Sequence, residues 1–312
     1  LESLLVDGVV AGVGGVLSFV PNILLLFAAI ALLEDSDYLA RAALLSDRIM
    51  RRIGLHGRSF IPLLIGFGCT VPAILATRTL ETRRDRLTTM LILPLISCGA
   101  RLPIYSLLIP AFFRPALRAP ILFGLYLTGI VLAILAALVL RRTVLRGEPE
   151  PLLLELPPYR RPSLRGVLGH MLDRGWMYVR KAGTVILAIS IGLWALTRFP
   201  RLPADAAAGL DPAEARAAEL AYSAAGRIGR ALEPVLRPMG FDWRIGTAMI
   251  GAFAAKEVFV AQLGIVFAVA DEEDVTPLRE RLQATYPART GLCMMLFMLI
   301  GTPCMATVAV TR

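Results

Sequence analysis

The chain alternates between long apolar windows and short polar segments. Seven windows stand out, at residues 8–33, 59–77, 87–113, 119–140, 182–197, 245–270 and 290–311. The charged residues inside them are Arg101, Lys256 and Glu257. A helix needs about 20 apolar residues to cross a hydrocarbon core about 30 Å thick. The windows therefore predict spanning helices, and the fold class is an all-α polytopic membrane protein. Residues 36–53 carry a helical period: Leu39, Ala43, Ser46, Met50 and Ile53 share one face, while Asp37, Arg41, Arg48 and Arg52 share the other. Gly54 is a natural stop, and such a helix is expected to lie at the membrane interface. Within the longest polar segment, 198–243, Asp211-Pro212-Ala213-Glu214 predicts the capped start of an Ala-rich helix. Residues 271–290 are acidic, then basic, and are expected to be a solvated loop.

Several windows are interrupted, and the interruptions repeat. Gly54 and Arg58 precede the window holding Gly66-Phe67-Gly68-Cys69-Thr70-Val71-Pro72. Gly240 and Arg244, at the same offset, precede the window holding Gly251-Ala252-Phe253-Ala254-Ala255-Lys256-Glu257. Each is followed by a window with a cysteine beside small or kinking residues, Ser97-Cys98-Gly99-Ala100 and Pro303-Cys304-Met305-Ala306. Two elements in the same order indicate an internal duplication. Corresponding spans broken by Gly or Pro point to a transport site.

Composition changes this picture little. Hydrophobic residues make up 56% and charged residues 18%, against about 25% charged in ordinary soluble domains. The net charge of +9 does not indicate nucleic acid. The basic residues cluster in connecting segments, Arg78, Arg83, Arg84 and Arg86 in 78–86 and eight Arg with Lys181 in 141–181. That is the pattern of cytoplasmic loops, with the 114–118 turn facing out. The four cysteines all lie in apolar windows and suggest no secreted disulfide framework. Residues 8–33 lack the basic lead of a cleavable signal peptide. Both ends look like cuts through a longer protein. No H-E-x-x-H, G-x-S-x-G or G-x-x-x-x-G-K-[ST] pattern occurs, so zinc protease, serine hydrolase and nucleotide-binding readings lack support.

The interruptions carry the candidate chemistry. Pro72 removes a backbone donor, and carbonyls freed by a broken helix cannot face lipid. They must line protein or a water-filled cavity, together with Gly68, Cys69 and Thr70. Ser97 and Cys98, and Pro303, Cys304 and Met305, mark similar breaks. Three thiols at three breaks form a soft-ligand path for a transition metal rather than Mg²⁺ or Ca²⁺, although packing is the usual fate of a buried Cys. Cys293, with no break beside it, reads as packing. Lys256 and Glu257 are costly mid-span charges and therefore functional candidates, with a structural ion pair as the other reading. Arg101 either favours thiolate at Cys98, neutralises Glu257 or caps freed carbonyls. Asn22 follows Pro21 and is expected to satisfy freed backbone. His56 and His170, outside the windows, read as interfacial polar residues.

The runs Gly66–Leu80, Ser97–Tyr105, Ala254–Val260 and Thr302–Thr307, with Asp7–Asn22, resemble the membrane domain of the ferrous iron transport protein B (FeoB) family. The resemblance covers nearly the whole chain; Thr70 stands where the family often has Asn. It implies two Gate repeats, 1–140 and 167–312, the second incomplete at its C terminus, joined by a Pro-rich cytoplasmic linker at 141–166. It implies Fe²⁺ uptake across a bacterial inner membrane, with Cys69, Cys98, Cys304 and Glu257 as metal ligands. Gly68, Thr70, Pro72, Ser97, Arg101, Lys256, Pro303 and Met305 would line or gate the path. It also implies GTP and Mg²⁺ in an N-terminal GTPase domain outside this chain, which itself would be a transporter and not an enzyme. The expected partners are the bilayer, that GTPase domain, a small cytoplasmic FeoA-like protein and further copies of the chain. A Gate-type carrier of nucleosides or other solutes, and an intramembrane thiol redox protein, are the competing readings.

Overall fold

The computed structural model describes residues 10–145, 161–203, 211–256, 258–269, 276–301 and 303–311. Sixteen α-helices and no strands occur among the described residues. Three helical runs are long and apolar enough to cross a membrane: Arg83–Phe112, Pro115–Arg142 and Ala288–Thr311. The chain is thus an all-α membrane protein. It divides into two compact units that alternate along the sequence, one of residues 13–99, 126–185 and 306–312, the other of 1–12, 100–125 and 186–305.

The first unit begins with α1 (Ala11–Asp35), which contains Pro21 and exposes Asn22. A left-handed Asp37 turns the chain into α2 (Tyr38–Arg52). The face predicted to be apolar is real but faces inward. Leu39, Ala43 and Met50 are buried with Asp47, packed against the turn at 57–59 and α3 (Phe60–Gly66). A second apolar stripe, Tyr38, Leu45 and Ile49, is left exposed. The Asp47 carboxylate explains the inward turn, since it accepts from the Gly57 N–H at 3.1 Å and pairs with Arg51 at 2.5 Å. Then come α4 (Thr70–Ala76) and α5 (Arg83–Ile92), the latter capped by the Thr82 hydroxyl accepting from the Asp85 N–H. The long α7 (Pro115–Arg142) ends with Arg141 paired to Asp85 and donating to the Gly54 carbonyl. All three groups sit at helix ends, so the pair ties those ends together. Helix α8 (Leu164–Tyr178), capped by Ser163, binds the end of α1 through Ser163 N–H to Asp35 at 2.8 Å and Arg174 to Glu34 at 2.8 Å. Most of the predicted linker, residues 146–160, lies outside the described residues.

The second unit holds α6 (Leu102–Phe112), α9 (Thr184–Arg198) and α10 (Pro212–Tyr222). The predicted proline start at Pro212 is present, but the Asp211 side chain makes no cap hydrogen bond. The segment expected to be one long loop contains a further helix, α11 (Ala224–Leu236). It packs on α12 (Trp243–Ala254) with its Gly229 backbone against Gly246, where an added Cβ would sit 3.2 Å from the Gly229 oxygen. Small residues let two backbones approach this closely. After α13 (Val258–Val266) comes α14 (Thr276–Thr285), which buries Leu278 and Leu282 instead of forming the expected solvated loop. Arg279 binds the Ser106 carbonyl of α6 at 3.0 Å. Helix α15 (Ala288–Ile300) meets α6 where Gly291 faces the Phe112 ring, and the short α16 (Met305–Thr311) follows.

Candidate functional site

All four sequence interruptions are helix breaks. Helix α3 ends at Gly66 and α4 starts at Thr70, with Cys69 extended between them (φ −151°, ψ 131°). Around Cys98 the chain forms two 3₁₀ turns, Leu93–Leu95 and Gly99–Arg101, with Ile96 extended. Helix α12 ends at Ala254 and α13 starts at Val258, leaving Lys256 in a turn. Helix α15 ends at Ile300, and Pro303 and Cys304 lead irregularly into α16. Glu257 and Thr302 lie outside the described residues.

The duplication is visible in backbone angles. Gly54 and Gly240 both adopt left-handed φ, 78° and 79°. Two residues on, His56 and Asp242 each cap the following helical turn, accepting from Arg58 N–H at 3.2 Å and Ile245 N–H at 3.2 Å. At the same offset, extended Cys69 is matched by extended Ala255 (φ −149°, ψ 137°). The second break thus keeps the first one's shape and lacks its thiol, and Lys256 stands where the first has Thr70.

In the first unit the breaks at Cys69 and Cys98 meet. The Gly99 N–H donates to the Gly68 carbonyl at 3.0 Å. One freed carbonyl of the α3–α4 break is thereby satisfied by the backbone of the other break. An added Cβ at Gly99 would stand 3.3 Å from that oxygen, and one at Gly68 would strike Leu26 of α1 at 2.8 Å. Glycine at 99 thus lets the two breaks approach without crowding, and glycine at 68 leaves room for the Leu26 side chain. Thr70 and Ser97 are buried, and Cys69 and Cys98 are half-buried. Phe67, in the same break, stacks on Tyr126 of α7 with centroids 6.5 Å apart.

In the second unit Arg101 is 2% exposed and Lys256 6% exposed. Both charges are thus enclosed by protein and turned away from lipid. Cys304 and Cys293 are half-buried. No group of three or more His, Cys, Asp or Glu side chains close enough to hold a metal occurs among the described residues. His56 is buried as a cap, not loosely interfacial, whereas His170 is exposed on α8. Two features escaped the sequence reading. One is the buried Asp85–Arg141 pair, and the other is Gln262 on α13, a buried amide in an otherwise apolar helix. As the one amide in window 245–270, Gln262 was a visible signal.

Comparison with known proteins follows the same lines. The family model described as Nucleoside recognition, the Gate family, matches residues 16–112 and 179–312. The model described as Ferrous iron transport protein B C terminus matches residues 122–174, between the two. A Porphyromonas gingivalis Fe(2+) transport protein A/Fe(2+) transporter FeoB fusion protein is 44% identical over 98% of this chain and 40% of its own length. The Fe(2+) transporter FeoB of Campylobacter jejuni is 40% identical over 99% of this chain and 50% of its own length. That of Helicobacter pylori strain J99 is 37% identical over 98% and 51%. The chain spans about half the length of the curated relatives it matches. No solved structure matches it. The segment between the two Gate matches is similar to the ferrous iron transport protein B C terminus, and with those two matches covering most of its length the chain belongs to the Gate family.

Proposed function

We propose that this chain is the permease core of a ferrous iron uptake protein in a bacterial inner membrane, with the ion passing the helix breaks. The observation that carries the reading is the Gly99-to-Gly68 hydrogen bond, which seats the Cys69 and Cys98 breaks against each other. Fe²⁺ sheds part of its water shell there and exchanges it for thiolates and backbone carbonyls. Both are ligands a borderline-soft cation accepts. Cys304 contributes a further thiol, and Glu257 a carboxylate, at the breaks of the second repeat. Arg101 and Lys256 hold down the net negative charge, so that binding stays weak enough for release. Gly68, Thr70, Pro72, Ser97, Pro303 and Met305 shape the breaks. The relatives' names supply Fe²⁺ as the cargo, and the fusion relative supports a FeoA-like partner. GTP and Mg²⁺ act through a separate GTPase domain of the whole protein, and the Pro-rich linker at 141–166 joins repeats 1–140 and 167–312.

The test is Fe²⁺ uptake by the full-length protein carrying Cys69→Ser, Cys98→Ser or Cys304→Ser. The Cys69 and Cys98 changes are expected to lower uptake about tenfold, the equivalent of ~1.4 kcal/mol in a barrier or an affinity. Unchanged uptake in all three removes the thiols from the path. The Phe67–Tyr126 stack offers the kind of aromatic surface a nucleobase uses, so nucleoside uptake is the matching control. Nucleoside transport without Fe²⁺ transport reverses the assignment.

A further inference from the structure

Helix α13 reads Val-Phe-Val-Ala-Gln-Leu-Gly-Ile-Val, with Gln262 as its single polar side chain. A lone amide in an apolar helix of a membrane protein is expected to point into protein, and this one does. Gln262 is 5% exposed and shares the buried face of α13 with Phe259, Leu263 and Val266. Its Oε1 is fully covered and has no hydrogen-bond partner among the described residues. The amide lies against the backbone of α12 at Gly251. A Cβ there would sit 2.4 Å from Oε1, 2.5 Å from Cδ and 2.9 Å from Nε2. Room for the amide is therefore made by the absence of a side chain at 251, three residues before α12 breaks.

A buried carbonyl oxygen with no donor pays its full desolvation penalty, whereas leucine fills a similar volume at no such cost. The arrangement makes physical sense when something supplies the missing positive partner. Amide oxygens are ordinary ligands for divalent cations. A neutral ligand also suits a passing ion, because it adds no fixed negative charge that would trap it, and the buried Lys256 of the same break opposes trapping further.

We propose that Gln262 Oε1 is a transient oxygen ligand for the transported divalent cation, held in place by Gly251. The inference rests on the cation-permease reading above. It is tested with the full-length protein in vesicles, measuring Fe²⁺ uptake against concentration and its competition by Mn²⁺, Co²⁺ and Zn²⁺. Gln262→Leu is expected to raise the half-saturating Fe²⁺ concentration about tenfold, to change the competition order, and to leave the folded protein at least as heat-resistant as wild type. Gln262→Glu, which keeps an oxygen and adds charge, is expected to lower half-saturation and slow the maximal rate. Gly251→Ala, by pushing the amide aside, is expected to reproduce the leucine phenotype. A uniform drop in rate for every cation with the competition order kept, or loss of folded protein in both Gln262 variants, assigns the amide to packing and overturns the proposal. Wild-type half-saturation in both variants alongside a defective Cys69→Ser protein overturns it too, while leaving the permease reading intact. Wild-type vesicles that take up no divalent cation overturn both.

Discussion

The most exacting residues in the first unit are a charged pair that no apolar pattern announces. Asp85 and Arg141 are bonded to each other with side chains only 4% and 7% exposed. Arg141 also holds the Gly54 carbonyl, and Asp85 is bonded by Thr82. Removing one partner strands the other charge in a low-dielectric site, which costs about 3–5 kcal/mol. Asp85→Ala is thus expected to lower the unfolding midpoint in detergent sharply, while Asp85→Leu with Arg141→Met recovers most of the loss. Equal losses in both proteins would show that the charge is not the issue. The positions of the breaks were legible because proline and glycine act locally, through a missing donor and a missing Cβ. The burial of Asp85 and Gln262 was not, because burial is decided by which neighbour packs on which face, and a window of hydropathy holds no such information.

At the scale of elements, the duplicated turn is the clearest case of sequence dictating backbone. Glycine occupies left-handed φ at 54 and 240 without the ~1–2 kcal/mol that an L-residue pays there. At Gly240 an added Cβ would also meet Thr290 Oγ1 at 2.5 Å, whereas at Gly54 it would meet the Arg141 side chain at 3.1 Å. Gly240→Ala is expected to destabilise more than Gly54→Ala, with both losing at least about 1 kcal/mol; thermal unfolding ranks them. The next turn is pinned by Tyr286, outside the spans, whose hydroxyl donates to Asp242 at 2.7 Å. Burial first, then that hydrogen bond and the Asp242 charge, push its pKa above the usual value of about 10. Because the folded value is the raised one, stability is fully present below about pH 10 and is lost as pH rises through the folded value. Unfolding measured from pH 7 to 11 should show that alkaline decline in wild type and not in Tyr286→Phe, which also starts about 1 kcal/mol lower. Helices α11 and α14 were hidden in charged, proline-containing stretches. Their stability comes from packing, through Gly229 on Gly246 and through buried Leu278 and Leu282, not from an apolar run.

At the scale of the whole molecule, sequence order conceals that residues 100–125 pack with 186–305. The reason is specific: α6 meets α15 where Gly291 admits the Phe112 ring, a fit between side chains far apart in sequence. Sidedness, by contrast, is an expectation that rests on the charges. The basic stretches 78–86 and 141–145 sit at helix ends joined by the Asp85–Arg141 pair, which supports the expectation that they share one face of the membrane. Helix α7, at 28 residues, is about 42 Å long and exceeds the ~30 Å core. A helix of that length is expected to bring its other end, at Ala116, out on the opposite face. Arginine-rich ends are expected in the cytoplasm, and that is the direction proposed for α7. With the four native cysteines changed to alanine, Thr143→Cys should react with a membrane-impermeant maleimide only in inverted vesicles, and Ala116→Cys only in intact cells. The opposite labelling would invert the uptake direction assigned to the repeats. Labelling of both from one side would mean that α7 does not cross, and a permease core built on it would lose its longest span.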